Sequence, residues 1–383
     1  MSIVMPNYEH GVLNTTASIL KYYGVETKYN TLSTLDEYLA SDKKYKNIIL
    51  LIMDGMGEHV LNNISPEGFL NKNKKTVGTA VYPSTTTASL TTYYAGKPPY
   101  ETGWIAWSQY FKELGRAVDL LKHTESYEGQ PLKGTGLKKF KEVIKYKTIF
   151  DQIKESSPET EVFEVMPEYS ERRAYNTLDA DNIDEIIDDI NILLKLPSNT
   201  FIMAYSDNPD GILHKYGTDS AEAKEYLLDA EKKIENFANN LPADTLLIIS
   251  ADHGHRNIDK AYTLLDYPDI WECLLMPPAL ESRVVGFYVK ENMRETFVER
   301  FNSKFKDEFW LMTKEEFLDK KFLGDGDKHP KIDDFIGNYV AVSTSGSIIR
   351  LETFLAEGKP IKKSTHAGLT KEEMEIPIII IEK

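Results

Sequence analysis

Residues 47–57 read Asn-Ile-Ile-Leu-Leu-Ile-Met-Asp-Gly-Met-Gly, and this stretch decides the fold class. Its apolar part is continuous, not alternating, which is typical of a strand that is covered on both faces. Strands of this kind occur in parallel sheets, because the helices that connect parallel strands cover the faces of the sheet. We therefore expect Asn47–Met53 to be a buried strand and Asp54 to stand at its carboxyl end.

Further along the chain, the same kind of apolar run alternates with helical patterns. Residues 200–205, 245–250 and 376–381 predict strands. Residues 184–194 and 221–239 have the acidic start or the charged polar face of surface helices. This alternation predicts an α/β fold, with a mostly parallel central sheet that is flanked by helices on both faces.

Between residues 283 and 323 the pattern changes to a strand, a helix, a second strand and a second helix. These elements are predicted at residues 284–289, 293–305, 309–312 and 314–322. Because they stand between two parts of the core, we interpret them as a smaller inserted α+β lobe. The predicted division is a core of residues 1–265 and 345–383 and a β-α-β-α lobe of residues 266–344.

The composition is that of a globular protein with a sizeable core. Of 383 residues, 41% are hydrophobic and 27% are charged, and the length fits one enlarged domain or two lobes. The net charge of −15 disfavours nucleic acid or an anionic membrane as the main partner. An acidic chain that acts on an anion needs a local source of positive charge, and metal ions supply it.

The cysteine content and the N-terminal segment bear on the cellular location. The single cysteine, Cys273, excludes an intramolecular disulfide and fits a reducing compartment. Residues 1–20 have no basic segment followed by an apolar run, so we expect no signal peptide. No apolar stretch is long enough to span a bilayer. We expect a cytoplasmic protein.

Ionisable side chains recur after the predicted strands and just before the last one. In a parallel sheet, ligands bind outside the carboxyl ends of the strands. Each residue alone has an ordinary explanation, since Asp often forms caps and turns and a single His is often a polar surface residue. Together, carboxylates and imidazoles at one edge of a sheet predict a metal site. The residues are Asp54, Asp210, His214, Asp252, His253 and His366.

The segment at residues 80–89 reads Ala-Val-Tyr-Pro-Ser-Thr-Thr-Thr-Ala-Ser, and a helical pattern follows it to Gly96. Pro83 and the hydroxyl residues suit a helix start, so capping by Ser84 or Thr85 is the simplest interpretation. The alternative is that one hydroxyl lies at the helix N-terminus, where the amides and the dipole favour an anion such as a phosphoryl group. A divalent metal at its oxygen would make that hydroxyl a nucleophile.

These motifs, in their order and spacing, resemble the alkaline phosphatase superfamily, and most closely its type I phosphodiesterase/nucleotide pyrophosphatase group. The resemblance runs from about residue 45 to the C-terminus. Its most specific parts are Asp252-His253-Gly254 and Pro209-Asp210 with His214 four residues after the acid.

The resemblance implies a reaction centre with two divalent metal ions, most often zinc. Thr86, the third residue after Pro83, matches the nucleophile of the family. Manganese and iron remain open as alternatives to zinc, because carboxylates and imidazoles bind all three. The implied ligands are Asp210, His214 and His366 for one ion, and Asp54, Asp252 and His253 with the Thr86 oxygen for the other.

Two positions depart from the family pattern. The family uses an asparagine after the nucleophile helix to bind a phosphoryl oxygen, and Trp107 stands at that place here. Ser108 or Gln109 is a candidate substitute; alternatively, Trp104 and Trp107 form an apolar wall for the leaving group or simply pack in a core. His255 stands where relatives have an apolar residue, and we place it beside the ligands or at the surface.

The resemblance implies a hydrolase that forms a phosphothreonine intermediate on a small-molecule phosphate ester, with nucleotides among the candidate substrates. A phosphodiesterase or nucleotide pyrophosphatase is the main prediction, and the lobe would overhang the metals and select the leaving group. A phosphomonoesterase or phosphonate hydrolase of the same superfamily is the alternative. From other classes, we retain a zinc-containing binding protein without catalysis and a chain that binds no metal. Without Cys-x-Pro-x-Arg or Ser-x-Pro-x-Arg near the hydroxyl run, a sulfatase is disfavoured.

Overall fold

The strand predicted at residues 47–53 lies in the middle of a seven-stranded sheet. The structure is a computed structural model, and it describes residues 2–40, 44–168, 174, 176–350 and 361–383. Every residue of this strand is buried, as expected for a continuous apolar run between layers of helices.

The longest strands belong to the first sheet, where the apolar runs of the sequence lie. In chain order they are β1 (Asn47–Met53), β2 (Lys74–Thr79), β3 (Ser108–Phe111), β4 (Arg116–Asp119), β5 (Thr124–Glu125), β6 (Glu161–Met166), β7 (Thr177–Asp179), β8 (Thr200–Ser206), β9 (Thr245–Ser250), β10 (Arg256–Asn257), β11 (Lys260–Thr263), β12 (Ala279–Leu280), β13 (Val284–Phe287), β14 (Phe309–Thr313), β15 (Tyr339–Ser343), β16 (Ser347–Arg350), β17 (Ser364–Thr365) and β18 (Glu375–Glu382).

The helices predicted at residues 184–194 and 221–239 are both found, within one residue at each end. No helix in the described ranges combines the length and the apolar character needed to span a membrane. In chain order the helices are α1 (Val12–Tyr22), α2 (Ser33–Asp36), α3 (Glu58–Ile64), α4 (Phe69–Asn73), α5 (Thr86–Ala95), α6 (Pro99–Thr102), α7 (Gly134–Val143), α8 (Ile149–Ser156), α9 (Ile183–Leu193), α10 (Asp210–Tyr216), α11 (Ala221–Asn239), α12 (Pro268–Trp271), α13 (Arg294–Phe305), α14 (Lys314–Asp319), α15 (Ile332–Phe335) and α16 (Lys371–Met374).

The first sheet has the strand order β2-β18-β9-β1-β8-β6-β7. Strand β1 pairs in parallel with β8 and β9, and β6 pairs in parallel with β7 and β8, whereas β18 is antiparallel to both of its neighbours. Two groups of contacting helices flank the sheet, one of α1, α5 and α8 and one of α3, α9 and α11. The prediction of a mostly parallel α/β sheet flanked by helices is confirmed.

The register of this sheet brings the ends of three strands to one edge. Met53 lies opposite Ser206, and Ile52 lies opposite Ser250. The chain therefore leaves β1, β8 and β9 at neighbouring points, outside the carboxyl ends of the parallel strands. The acids that follow these strands begin close together for this reason.

A second seven-stranded sheet has the order β14-β15-β13-β12-β3-β4-β5, and all of its pairs are antiparallel. The elements predicted for the lobe are found in the predicted order, as β13, α13, β14 and α14. The same sheet also contains β3, β4 and β5, from residues 108–125, which the predicted division assigns to the core. The boundaries at residues 265/266 and 344/345 stay a prediction.

A buried ion pair joins this second sheet to the C-terminal segment. Arg283, just before β13, donates to Glu373 from Nε at 2.5 Å and from Nη2 at 2.8 Å. Arg283 also donates to two backbone carbonyls, and Glu373 also accepts from Gly368 N at 2.8 Å and from Thr370 Oγ1 at 2.6 Å. Gly368 has no room for a Cβ atom, which would lie 2.6 Å from Arg283 Nε. Both charges are completely buried, so each depends on the other.

Replacing Arg283 by methionine should lower the free energy of unfolding by about 3 kcal/mol, because the Glu373 carboxylate would remain buried without its cation. Equilibrium unfolding in urea measures this loss. The control is Lys321→Ala, which breaks an exposed ion pair with Asp325 and should change the free energy of unfolding far less. Equal losses in the two variants would contradict the importance given to the buried pair.

Candidate functional site

The loops after β1 and β9 bring three ionisable side chains into one buried cluster. His253 Nε2 lies 3.3 Å from Asp54 Oδ1 and 3.4 Å from Asp252 Oδ2. The backbone holds Asp252 in place, because its Oδ1 accepts from the amides of residues 55 and 253 at 3.1 and 2.9 Å. The two loops touch at Gly57 and Gly254, where a Cβ atom on Gly57 would collide with Gly254 Cα.

Thr86 is the first residue of α5, and its hydroxyl lies against this cluster. Thr86 Oγ1 donates to Asp54 Oδ2 at 3.2 Å and lies 3.2 Å from His253 Nε2. Thr85 is the N-cap residue, but its side chain makes no capping bond. Gly96, with φ at 64°, ends the helix where the sequence predicts. The positive end of the α5 dipole therefore lies at Thr86, where it favours an anion.

A second cluster lies beside the first and contains Asp210, His214 and His366. Asp210 Oδ1 is 3.4 Å from His214 Nε2 and 3.6 Å from His366 Nε2. The other ring nitrogen of each histidine faces a backbone carbonyl, that of Ser364 at 2.8 Å for His214 and that of Ser84 at 3.2 Å for His366. Donation to a carbonyl through Nδ1 leaves Nε2 as the nitrogen with a free lone pair, which is how metal-binding histidines are held.

His255 belongs to the same neighbourhood. It is completely buried, its Nε2 lies 2.6 Å from Asp210 Oδ1, and its Nδ1 lies 3.0 Å from Ser364 Oγ. Of the two positions that the sequence left open for His255, the surface is wrong. The side chain lies beside the predicted metal ligands instead. The only sequence signal was an imidazole directly after the Asp-His-Gly run.

The chemistry of these clusters fits divalent cations. Two buried oxygens, Asp54 Oδ1 and Asp252 Oδ2, have no hydrogen-bond partner among the described residues, and such atoms are costly unless they bind something. Burial and the charges of Asp252 and Asp210 raise the pKa of Asp54 well above its usual range. A cation at these oxygens would act in the opposite direction and keep the carboxylate ionised.

Burial favours the neutral form of two of these histidines, His214 and His366. Burial lowers the pKa of His214 to about 3, and burial with the charge of His253 lowers the pKa of His366 well below its usual range. Neutral imidazole is the metal-binding form. Two groups have their ligand atoms within 4.8 Å of one another and could each hold an ion: Asp54, Asp252 and His253, and Asp210, His253, His255 and His366.

The structure thus brings all seven predicted metal-site residues to one edge of the first sheet, although the predicted partition between two ions stays a prediction. Tyr205 was not singled out from the sequence. It lies in β8, and its hydroxyl donates to Asp54 Oδ2, the oxygen that Thr86 also contacts. A tyrosine within an apolar strand gives no sequence signal of this contact.

The residues considered as substitutes for the missing asparagine have different surroundings. Gln109 is completely buried, and its amide bonds to backbone groups of Gly103, Ile105 and Ala106. Ser108 is nearly buried and shares a hydrogen bond of 2.7 Å with Ser126 Oγ. Trp104 packs in a core, with its Nε1 donating to a backbone carbonyl. Trp107 is partly buried and remains the candidate that faces a substrate.

Glu281 is a further residue that the sequence did not reveal. It follows β12 in the second sheet, and its Oε1 accepts from Thr85 Oγ1 at 2.9 Å and from Trp107 N at 2.6 Å. Burial raises the pKa of Glu281 to about 7. An acid after a two-residue strand has no pattern that predicts such a contact.

Carboxylates and imidazoles gathered around a helix-terminal hydroxyl, on an α/β sheet of this topology, define a metal-dependent phosphoryl-transfer hydrolase. The family model of type I phosphodiesterase/nucleotide pyrophosphatase matches residues 48–350, which is most of the chain. The chain belongs to this family, and the resemblance drawn from its motifs is confirmed.

Solved structures share the fold at low sequence identity. Murine ectonucleotide pyrophosphatase/phosphodiesterase 5 superimposes with a TM-score of 0.67 at 18% identity, covering 88% of each chain. An inactive variant of the same murine protein, in complex with AMP, gives a TM-score of 0.65 at 18% identity, covering 88% of this chain and 87% of that one. Phosphonoacetate hydrolase from Sinorhizobium meliloti 1021, in complex with phosphonoformate, superimposes with a TM-score of 0.60 at 15% identity. The match covers 87% of this chain and 89% of that one. No curated protein sequence matches the chain significantly.

Proposed function

We propose that the chain hydrolyses phosphodiesters or nucleotide pyrophosphates, with Thr86 as the nucleophile and with two zinc ions. One observation carries the proposal: Thr86 Oγ1 lies 3.2 Å from both Asp54 Oδ2 and His253 Nε2 at the first turn of a helix. A hydroxyl placed only to cap the helix would bond to a backbone amide of its own turn instead.

The ligands follow from the two clusters. Carboxylates and imidazoles suit zinc, whose sites mix nitrogen and oxygen donors. When bound, the two cations supply the positive charge that activates the Thr86 oxygen and neutralises the phosphoryl oxygens. The proposed ligands are Asp210, His214 and His366 for one ion, and Asp54, Asp252, His253 and the Thr86 oxygen for the other.

The residues of the chain then perform the reaction in two displacements. Thr86 Oγ1, whose hydroxyl donates to Asp54 Oδ2, forms a bond to phosphorus while the bond from phosphorus to the leaving oxygen breaks. The proton of the Thr86 hydroxyl passes to solvent, and the leaving oxygen takes up a proton from solvent and departs. Water attacks the phosphothreonine, releases the second product and restores the Thr86 hydroxyl. Throughout, the first-turn amides of α5 favour the negative phosphoryl oxygens.

The proposed substrate is a small phosphate ester, with nucleotides as the leading candidates. The AMP complex of the murine relative and the family match support this choice. Trp107, directly before β3, is proposed to face the leaving group. The inserted lobe, as predicted, would overhang the metals, and the cytoplasmic location stays a prediction that rests on the single cysteine.

Metal analysis combined with turnover tests the proposal. We expect about two zinc ions per chain, and release of nitrophenol from bis(4-nitrophenyl) phosphate that stops on chelation and returns with added zinc. Faster release from 4-nitrophenyl phosphate would favour the phosphomonoesterase, and phosphate release from phosphonoacetate would favour the phosphonate hydrolase. Zinc bound without turnover of any of these would favour the binding protein. A chain that takes up no divalent metal would refute the proposal.

A further inference from the structure

We propose that Glu281 sets the charge that the substrate carries: its carboxylate disfavours a second negative charge on the phosphoryl group, so that the site selects phosphodiesters over phosphomonoesters. This inference rests on the proposed function and deepens it, because it assigns the preference for diesters to one residue of the second sheet.

The position of Glu281 is fixed by two hydrogen bonds that converge on one oxygen. Oε1 accepts from Thr85 Oγ1 at 2.9 Å and from Trp107 N at 2.6 Å. Thr85 directly precedes the proposed nucleophile, and consecutive Cα atoms are about 3.8 Å apart. The carboxylate therefore contacts the side chain of the residue directly before Thr86.

A series of contacts links Glu281 to the proposed nucleophile. Its carboxylate accepts from Thr85 Oγ1, the next residue is Thr86, and Thr86 Oγ1 is 3.2 Å from His253 Nε2. Burial raises the pKa of Glu281, and the hydrogen bonds from Trp107 and Thr85 and the charge of Lys362 act to lower it. Cations held at the His253 cluster would act in the same direction as Lys362 and favour the ionised carboxylate.

The chemical consequence concerns the charge of the phosphoryl group. At neutral pH a phosphodiester carries one negative charge, whereas a phosphomonoester carries close to two. An anion fixed beside the nucleophile repels the additional charge of the monoester, and in a partly buried site one unit charge several ångströms away changes a rate by about tenfold. Bound cations would attract both substrates. The carboxylate would therefore change the ratio of the monoester rate to the diester rate.

Glutamine at position 281 separates the charge from the structural role. Glu281→Gln keeps an oxygen that accepts from Thr85 and Trp107, and it removes only the negative charge. We expect the ratio of kcat/KM for 4-nitrophenyl phosphate to that for bis(4-nitrophenyl) phosphate to rise about tenfold in this variant, with zinc content unchanged. A purely structural role would lower both rates together and leave the ratio as it is.

A matched control is Glu231→Gln. Glu231 is a buried carboxylate on α11 that also accepts from one hydroxyl, that of Ser65, and from one backbone amide, that of Leu70 at 2.9 Å. Its substitution should leave the monoester-to-diester ratio unchanged.

A second variant, Glu281→Ala, covers the case in which the glutamine variant does not fold. It removes the charge together with both hydrogen bonds, and the ratio should move in the same direction. A ratio within twofold of the wild-type value in the folded variant would overturn the role of Glu281 while leaving the proposed hydrolase intact. Wild-type protein that hydrolyses neither ester would instead refute the function on which the inference rests.

Discussion

Thr86→Ala should reduce phosphodiester hydrolysis at least about a thousandfold, because the variant has no oxygen to form the covalent intermediate. Six side chains of the two clusters remain in place, so the zinc content should stay close to that of the wild type. The measurements are kcat/KM for bis(4-nitrophenyl) phosphate and elemental analysis of the purified protein. A phosphorylated peptide containing residue 86, trapped by acid quenching of the wild-type reaction, should be missing in the variant.

The neighbouring threonine offers the control. Thr87 is completely buried, and its hydroxyl has no hydrogen-bond partner among the described residues. Thr87→Ala removes the same atoms one residue further along the same helix, and we expect its activity to stay within a few-fold of the wild type. Unchanged activity in Thr86→Ala would remove the covalent mechanism, whatever metal the protein binds.

Asp252→Asn should abolish one of the two proposed metal sites and reduce hydrolysis by at least about a thousandfold. The asparagine retains an oxygen that accepts from the amides of residues 55 and 253, so the loop should keep its shape. Asp252 Oδ2 is a buried oxygen with no hydrogen-bond partner in the part of the chain that the structure describes. The variant has in its place an amide nitrogen, which does not bind a cation. Zinc bound per chain should fall from about two to about one, as measured by elemental analysis and calorimetric titration.

Asp207→Asn serves as the comparison for this change. Asp207 also follows a strand at the same edge of the sheet and accepts from the side chain of Asn208 at 2.8 Å, but it does not belong to either cluster. Its substitution should preserve both zinc ions and the activity. If Asp252→Asn retained the full zinc content, Asp252 would have to be withdrawn from the proposed ligands.

Much of the first sheet and of the site can be predicted because their signals are local. A continuous apolar run predicts a covered strand, and in a parallel sheet the residues after such runs meet at one edge. This pattern predicts that Asp54, Asp210 and Asp252 lie close together at that edge. The start of α5 at Thr86 and its end at Gly96 likewise follow from short-range preferences.

The second sheet was harder to predict, because its strands are short and its pairs join distant parts of the chain. Strand β12 has only two residues, yet it links β13 to β3, more than 150 residues earlier. This pairing sets Glu281 against Thr85 and Trp107, so no local pattern could have placed it in the site. The contacts of His255 and Tyr205 are tertiary for the same reason.

The ion pair between Arg283 and Glu373 joins the segment of the second sheet that carries Glu281 to the C-terminal segment that carries His366. Glu281 lies two residues before this arginine, and the glutamate holds the amide of Gly368, two residues after His366. A redesign that replaces the second sheet in order to change specificity would therefore need to keep both Arg283 and Glu373.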